Sequence, residues 1–555
     1  MRERTWSARP DLRGVLCAEM TAALGVAVSA VTAGPLWIGG TVGALVGVLV
    51  FVVLIARLTP WNWFKRAVGR LRHKEHRLEF DITEPVEKAP ARQQNENDSD
   101  APPSGQDGAR GEHQPEVPPP ASVIDIDSDG QKLGLRVDGH TLVTMVSVWG
   151  KPYIPTLLRP QGSETPNTLP LSVISEQMQR FGLGVDVDVI SEGRRTATDN
   201  YAQLYGTLLG DRPAAGQRTT LLVIRMDTRS PDTTAGLMWR TDTGAAIAAI
   251  TRRITRALRQ AGCRAEPMTS ADMRRAVIDM HGGTREDVEA VFREGWKSLS
   301  HRGSYVTSYY FSAEDLTPER LSDVWAIKSD HTVLAMHLRR ADAGITVSAT
   351  VRFTTAQPQL APPAVILNRY TGRQWWSLSA LVPGADRITG MPTRPLSADL
   401  DTAVAIGPSG VMLGKIDDAL MLMPLRDPAG MTRIVMDPDD DTAVRLLIRR
   451  AAASGEVVAV YDPRQRWTMA ASSSRIWTTT DRRAQPPRPP TLVVHNGSSN
   501  PYPGAAVSVS VGVGPRSVKP DIRITERKGR ITIDTERFTA RVDAVLFRNE
   551  QTFLN

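Results

Sequence analysis

Two apolar runs dominate the start of the chain. Residues 15–33 are apolar except for Glu19, Gly34-Pro35 breaks the run, and residues 36–56 are apolar without a charge. Each run has about the 20 residues a helix needs to cross a bilayer. A secretory leader would show one apolar core of roughly 7–15 residues and then a small-residue cleavage site. Here a second, longer run follows at once and ends at Arg57. The pattern predicts a transmembrane helical hairpin over 15–56, with helices at 15–33 and 36–56.

The flanks orient that hairpin. Arg2, Arg4, Arg9 and Arg13 lie in a basic N-terminus, 1–14, and Arg57, Lys65, Arg66, Arg70, Arg72, Lys74 and Arg77 follow in a juxtamembrane segment, 57–80. Basic residues concentrate on the cytoplasmic side. Both termini and the bulk of the chain are therefore expected in the cytoplasm, in a multi-pass protein of the inner (plasma) membrane that also contacts membrane lipids. Trp61, Trp63 and Phe64 beside Lys65 and Arg66 are placed to anchor the second helix at the headgroups. Gly39, Gly43 and Gly47 recur every four residues on that helix, as Gly25, Ser29 and Ala33 do on the first. Small residues at this spacing let helix backbones approach closely. The two stripes pack on each other or dock onto another subunit. Glu19 lies four residues inside the first run and is placed to snorkel to the interface.

Residues 81–122 are rich in Pro, Gln, Asn, Asp and Ser with an acidic surplus, too poor in apolar positions to fold, and read as a disordered linker. Beyond it the periodicities predict strands at 141–148, 185–190 and 219–226, a helix over 171–181 closed by Gly182, and a strongly amphipathic helix over 243–261 stopped by Gly262. Thr269 with Asp272 and Thr284 with Asp287 have the spacing of capping boxes. A first α/β unit thus spans 123–299. A second, 300–480, shows strands at 305–311, 332–340 and 345–353, a short helix started by Thr317-Pro318-Glu319, strands near 410–415, 419–425 and 432–436, a helix over 440–454 and a strand at 457–461. Residues 481–555 read as a Pro/Arg linker followed by a β-rich tail with strands at 492–494, 505–513, 521–525 and 542–547.

With 555 residues, about 150 per domain allows three or four units. Two cysteines, Cys17 and Cys263, exclude a disulfide framework. The net charge of +7 comes from 67 basic and 60 acidic residues spread along the chain. No basic patch is interleaved with aromatics, and nucleic acid is not expected as a partner.

The motifs of chemistry are incomplete. Gly407-Pro408-Ser409-Gly410 lacks the spacing of a hydrolase elbow. Gly414-Lys415 lacks both the upstream glycine, where Ser409 stands, and the hydroxyl residue, where Ile416 stands, of a phosphate loop. Asp125, Asp127 and Asp129 open like a calcium loop, but Arg136 occupies the twelfth position where a glutamate is required. His73 and His76 sit among basic residues. Asp186-Val187-Asp188 resembles the Asp-x-Asp that holds a divalent ion against a nucleotide-sugar diphosphate. On an alternating strand, however, both carboxylates would share one solvated face while Val185, Val187 and Val189 fill the core. Asp437 to Asp441 read as the turn and N-cap of the next helix. No catalytic residue, metal or other cofactor is expected; Asp186 and Asp188 are the candidates that a metal-dependent reading would use.

The order of features carries a resemblance: basic N-terminus, membrane hairpin, Arg-rich juxtamembrane stretch, then Val137-Asp138-Gly139-His140, Phe181-Gly182 and Val189-Ile190-Ser191-Glu192-Gly193. It continues through Gln217-Arg218-Thr219-Thr220-Leu221, Val223-Ile224-Arg225-Met226, the helix over 245–258 and Met268-Thr269-Ser270-Ala271-Asp272-Met273. The chain resembles the EccE family, membrane components of type VII (ESX) secretion systems in mycobacteria and related actinobacteria. The resemblance spans roughly residues 1–300 and, more loosely, 404–467. It implies a non-catalytic structural subunit of an inner-membrane protein-export complex, assembled with EccB, the EccC ATPase and EccD. It also implies cytosolic α/β domains of glycosyltransferase-like fold after the two transmembrane helices, with the β-rich C-terminal segment as an addition. The alternative is a membrane-anchored, metal-dependent glycosyltransferase-like enzyme.

Overall fold

The computed structural model describes residues 74–82 and 122–554, apart from 129, 161, 195–198, 241, 470–472, 498 and 513–518. The expected hairpin with its two small-residue stripes, the anchors Trp61 to Arg66, and residues 83–121 of the linker lie outside the described residues. Among the described residues no helix is long and apolar enough to cross a membrane. A small unit comprises, among these residues, 74–75 with Arg293–Trp296 and carries the exposed ion pair Arg293–Glu75 at 3.2 Å. The main unit is His76–Phe292 with Lys297–Asn555.

Two large sheets organise the main unit. The long strands of the first are β1 (Val123–Ser128), β2 (Gln131–Asp138), β3 (Thr141–Trp149), β4 (Asp186–Arg194), β5 (Gln217–Asp227), β6 (Ser304–Phe311), β7 (His331–Ala341) and β8 (Gly344–Thr355), with shorter strands added beside them. They lie side by side in the order β6-β8-β7-β4-β5-β3-β2-β1, every pair antiparallel. β4, at the centre, is buried along eight of its nine residues. The sheet takes strands from both sides of Leu299.

Helices cover both faces. Between β4 and β5 runs α1 (Asn200–Leu209), capped by the Asp199 carboxylate. α2 (Thr243–Gln260) starts at Asp242, whose side chain accepts from Gly244 N, and the chain leaves it through Gly262 at φ 88°. Its Ile247, Ile250, Ile254 and Leu258 join Val187, Val189, Leu222 and Ile224 in the largest core. The opposite face, with Ile190, Leu221, Val223, Val333 and Ala335, packs on α3 (Ser270–Met280) and on Tyr370, Leu381, Val382 and Ile388. Thr269 and Asp272 form the expected capping box on α3.

The second sheet contains β9 (Val411–Ile416), β10 (Ala419–Met423), β11 (Thr432–Asp437), β12 (Val458–Tyr461), β13 (Ile476–Thr479), β14 (Leu492–His495), β15 (Val507–Val511), β16 (Ile522–Arg527), β17 (Arg530–Thr535) and β18 (Thr539–Asp543). Its order is β13-β12-β14-β15-β11-β16-β17-β18-β9-β10, closed by strands Thr156–Arg159 and Gly162–Glu164. From β13 to β16 neighbouring strands are parallel, and their short continuous apolar runs suit strands covered on both faces. α4 (Asp441–Ala453) crosses from β11 to β12 with Asp440 as its cap. Residues 481–555, read as linker and tail, supply β14 to β18 to this sheet.

The segment expected as a helix over 171–181 is helical only at Leu171–Ser175. Phe181 and Gly182 adopt left-handed conformations, φ 57° and 68°, and fold a tight hairpin between strands Gln179–Arg180 and Leu183–Gly184. Such a turn suits glycine and costs an aromatic residue strain.

Candidate functional site: a buried ionic layer beneath a strap

Charges interrupt the apolar strands in the middle of the first sheet. Asp188 on β4 lies opposite Val223 on β5 and His337 on β7, so its side chain shares a face with Arg225 and His337. Period-two alternation does put Asp186 and Asp188 on the face opposite Val187 and Val189. That face is covered, not solvated: Asp186 is 7% exposed and Asp188 1%.

Asp188 is enclosed by cations. Arg225 Nη1 donates to its Oδ2, His337 Nδ1 lies 2.8 Å from its Oδ1, and Arg339 Nη2 is 2.6 Å away. Burial pushes this carboxyl upward, but the charges of Arg339 and Arg225, with the hydrogen bond from His337, outweigh it and hold Asp188 well below the usual carboxylate range. Burial keeps His337 below its usual value despite the adjacent carboxylate. The neutral ring then donates through Nδ1 to Asp188 and accepts at Nε2 from Thr350 Oγ1, 3.1 Å away. Asp186 pairs with Arg387 and lies 3.6 Å from Arg340, which also holds Asp232 at 2.9 Å.

The same guanidiniums fasten residues 380–388 across the sheet. Arg225 donates to the carbonyls of Gly384 (2.8 Å), Ala380 and Val382 (3.3 Å each). Arg136 donates to Pro383 O at 2.7 Å and Glu79 O at 2.9 Å, while Asp138 accepts from Ala385 N at 2.8 Å. Gly384 fits because a Cβ there would approach Asp138 Oδ2 to 2.9 Å. Every charge of the layer is therefore spent on a strand neighbour or on the strap.

A second polar group lies farther along this face. Glu192 accepts from Thr219 at 2.7 Å and faces His331 Nε2 at 3.5 Å. Burial opposes the Glu192 charge, but His331 and Thr219 carry it below its usual value. Arg352 donates to Met280 O at 2.5 Å and to His281 Nε2 at 3.4 Å. Burial, and then Arg352, hold His281 well below the usual imidazole range.

The remaining motifs resolve into structural roles. Asp127 accepts from Gly130 N in the β1–β2 turn, and Asp125 accepts from Ser270 N at the start of α3. Ser409 exchanges two hydrogen bonds with the Ala215 backbone, at 2.8 and 3.1 Å. Asp441 holds Arg466 and the Trp467 indole, and Asp437 pairs with Arg527. His76 stacks on Trp375 with centroids 4.6 Å apart. Among the described residues no cluster of three or more His, Cys, Asp or Glu side chains is placed to hold a metal ion. A cleft lined by Arg194, Tyr205, Gly216, Gly410, Leu422 and Ser454 has room for about 20 Å³, roughly one water.

Sequence reasoning singled out Asp186 and Asp188 and missed their partners Arg225, His337, Arg339, Arg340 and Arg387, and Arg136, which holds the strap beside them. The signal was present: Arg225 within Leu221-Leu222-Val223-Ile224-Arg225-Met226 and His337 within Val333 to Leu338 are charges set into apolar runs. It also missed a latch near the C-terminus, where Arg450 on α4 grips Glu550 through two bonds of 2.8 and 3.1 Å and Tyr201 on α1 donates to the same carboxylate at 2.7 Å.

Fold and layer together define a two-sheet α/β scaffold whose mid-strand charges bind the protein to itself. Residues 214–311, from the approach to β5 to the end of β6, match the family described as "Putative type VII ESX secretion system translocon, EccE". The chain is similar to the ESX-2 secretion system protein EccE2 of Mycobacterium tuberculosis, 29% identical over 396 residues, which cover 69% of this chain and 71% of the relative. It is similar also to the ESX-1 protein EccE1 of that species, 26% identical over 336 residues, 60% of this chain and 65% of the relative. For the ESX-5 protein EccE5 of Mycobacterium marinum the figures are 26% over 229 residues, 39% and 55%. The alignments thus span between 55% and 71% of these relatives' lengths. Over these spans the chain is similar to EccE proteins of ESX secretion systems.

Proposed function

We propose that the protein is a non-catalytic structural subunit of a type VII (ESX) secretion complex in the mycobacterial inner membrane, supporting assembly or stability of the export machinery. The observation that carries the non-catalytic part is the state of Asp188. A divalent ion there would have to displace Arg225, Arg339 and His337, and breaking a buried pair by removing a partner costs about 3–5 kcal/mol. The transferase alternative draws no support from this geometry. The membrane assignment rests on the two apolar runs at 15–56 and on the relatives' part in secretion systems. In this reading the two helices carry both termini and the α/β scaffold on the cytoplasmic side, and EccB, the EccC ATPase and EccD are the expected neighbours.

The test is to solubilise membranes in mild detergent, capture a tagged copy of the chain and identify what stays attached through size exclusion. Co-elution with an ATPase and other membrane subunits in a large assembly is the expected result. Elution alone, together with metal-dependent binding of a nucleotide sugar, would replace this reading with the enzymatic one.

A further inference from the structure

Three of the most exposed large apolar side chains in the main unit belong to two adjoining turns: Trp239 is 88% exposed, Met238 76% and Phe181 73%. Phe181 tips the hairpin between strands Gln179–Arg180 and Leu183–Gly184; Met238 and Trp239 follow helix Pro231–Leu237. A pair of glycines brings the turns together. A Cβ on Gly236 would meet Gly182 O at 2.1 Å, and one on Gly182 would meet Gly236 Cα at 3.1 Å. Thr233 Oγ1 adds a bond to Gly184 O at 3.1 Å.

Arginines surround these turns. The Arg253 guanidinium lies 5.5 Å from the centroid of the Phe181 ring and donates to Gln177 O at 2.7 Å. Arg180 donates to Glu176 O and Arg240 to Gly236 O. Among the described residues, none of these three guanidiniums forms an ion pair with a carboxylate; all three are held by backbone carbonyls. Burial, and then the charges of Arg180 and Arg240, lower Arg253, which places three like charges around one apolar tip.

We propose that this surface docks on an anionic phospholipid bilayer, with Phe181, Met238 and Trp239 entering the headgroup region and Arg180, Arg240 and Arg253 meeting lipid phosphates. The apolar side chains project from convex turns instead of lining a groove. Aromatic rings flanked by long basic side chains suit the interface of a membrane, where the ring body is buried and the cation stays among headgroups. The unneutralised positive charge complements anionic lipid. Left in water, a contiguous patch of this kind carries a solvation cost that a bilayer removes.

The inference does not rest on the translocon reading, and the two experiments fail separately. The full chain, with Cys17 and Cys263 replaced by serine, carries an NBD probe on Met238→Cys and, as a control, on Val365→Cys, a site 98% exposed on another loop. Each is reconstituted into phosphatidylcholine vesicles with or without about 30% phosphatidylglycerol, with brominated lipid as quencher. The expected result is a blue-shifted, lipid-quenched probe at 238, quenched about threefold more with the anionic lipid, and a water-exposed probe at 365. Replacing Arg180, Arg240 and Arg253 together by Gln removes the dependence on anionic lipid, with an unchanged melting curve to show that the fold persists. A probe at 238 as water-exposed as that at 365 in anionic vesicles overturns the proposal. So does a probe shielded only when other proteins from the same membranes are added, which would assign the patch to an acidic protein surface.

Discussion

Along β4, β5 and β7 of the first sheet, Asp188, Arg225 and His337 sit between valines, leucines and isoleucines. Along β12, β14 and β15 of the second, the corresponding layer is Val458, Val460, Leu492, Val494, Val507 and Val509, and the buried carboxylate–guanidinium pair Glu550–Arg450 stands outside it, at the latch. Both layers are fully buried, yet they depend on different things. Apolar strands need neighbours of the right shape and are nearly indifferent to which backbone covers them. A buried guanidinium needs acceptors at fixed points, and Arg225 finds four of them on β4 and the strap. The first sheet is therefore complete only when residues 380–388 are in place, while the second is held by packing.

The sharpest break in this comparison is Asp188→Ala. It leaves Arg225 and Arg339 buried without their anion and is expected to cost about 3–5 kcal/mol, read by urea unfolding. Hydrogen exchange should rise first in β4, β5 and β7. Replacing Asp188, Arg225, His337 and Arg339 together by Leu, Met, Leu and Met should cost less than Asp188→Ala alone, because no charge of this group is left without its partner; a larger cost would assign the layer's main role to holding the strap carbonyls.

In the second sheet, Leu492→Ala at a fully buried position should cost about 2–4 kcal/mol as lost contact and cavity, with exchange rising first in β12 and β14. Protection lost equally in both sheets would show that the main unit unfolds as one.

Acid separates the regions next. His281, His301, His331 and His337 are held below the usual imidazole value of 6.5, by burial first. Burial lowers His495 to about 4. Each takes up its proton in the unfolded chain before the folded one, so stability is full above about pH 6.5 and falls as pH drops toward the folded values. Asp188 has the same sign at lower pH: its contribution is present above the unfolded carboxylate value of 3.8 and is lost as pH falls toward its folded value. Four of the five histidines belong to the first sheet and its cover. Melts at pH 7 and 5 should differ by at least about 1 kcal/mol, with exchange in the first sheet most affected. The smallest effect is expected from Val365→Ser on an exposed loop, within about 0.5 kcal/mol.

Much of this architecture is legible in the sequence. The apolar face of α2, the Thr269–Asp272 box and Asp440 as cap are local patterns and appear where the spacing puts them. The helix expected through Phe181 fails because the apolar spacing does not reveal that the chain turns left-handed at Phe181 before Gly182. β17 escaped notice although Ile531 and Ile533 alternate with polar residues, since the alternation is short and bounded by charges. The ionic layer was half visible. Alternation put Asp186 and Asp188 on one face, but whether that face meets water depends on residues 380–388, nearly 200 positions away. Pairing across a sheet is a long-range fact, and a strand's own sequence carries only the oddity of a charge among valines.

Strand Thr156–Arg159 pairs with β10, Leu158 opposite Leu420, and the Tyr201–Glu550 bond joins α1 to the last residues of the chain. During synthesis at about 5–20 residues per second, residue 158 waits roughly 13 to 50 s for its partner to be made, and Tyr201 waits longer still. Throughout that interval the edge of the second sheet exists only as the short hairpin of Thr156–Arg159 and Gly162–Glu164 with one side open, the kind of surface that chaperones shield and aggregates recruit. A bulky tag fused directly after Asn555 would hinder the latch that ends this wait, and yields of full-length protein should favour a tag elsewhere.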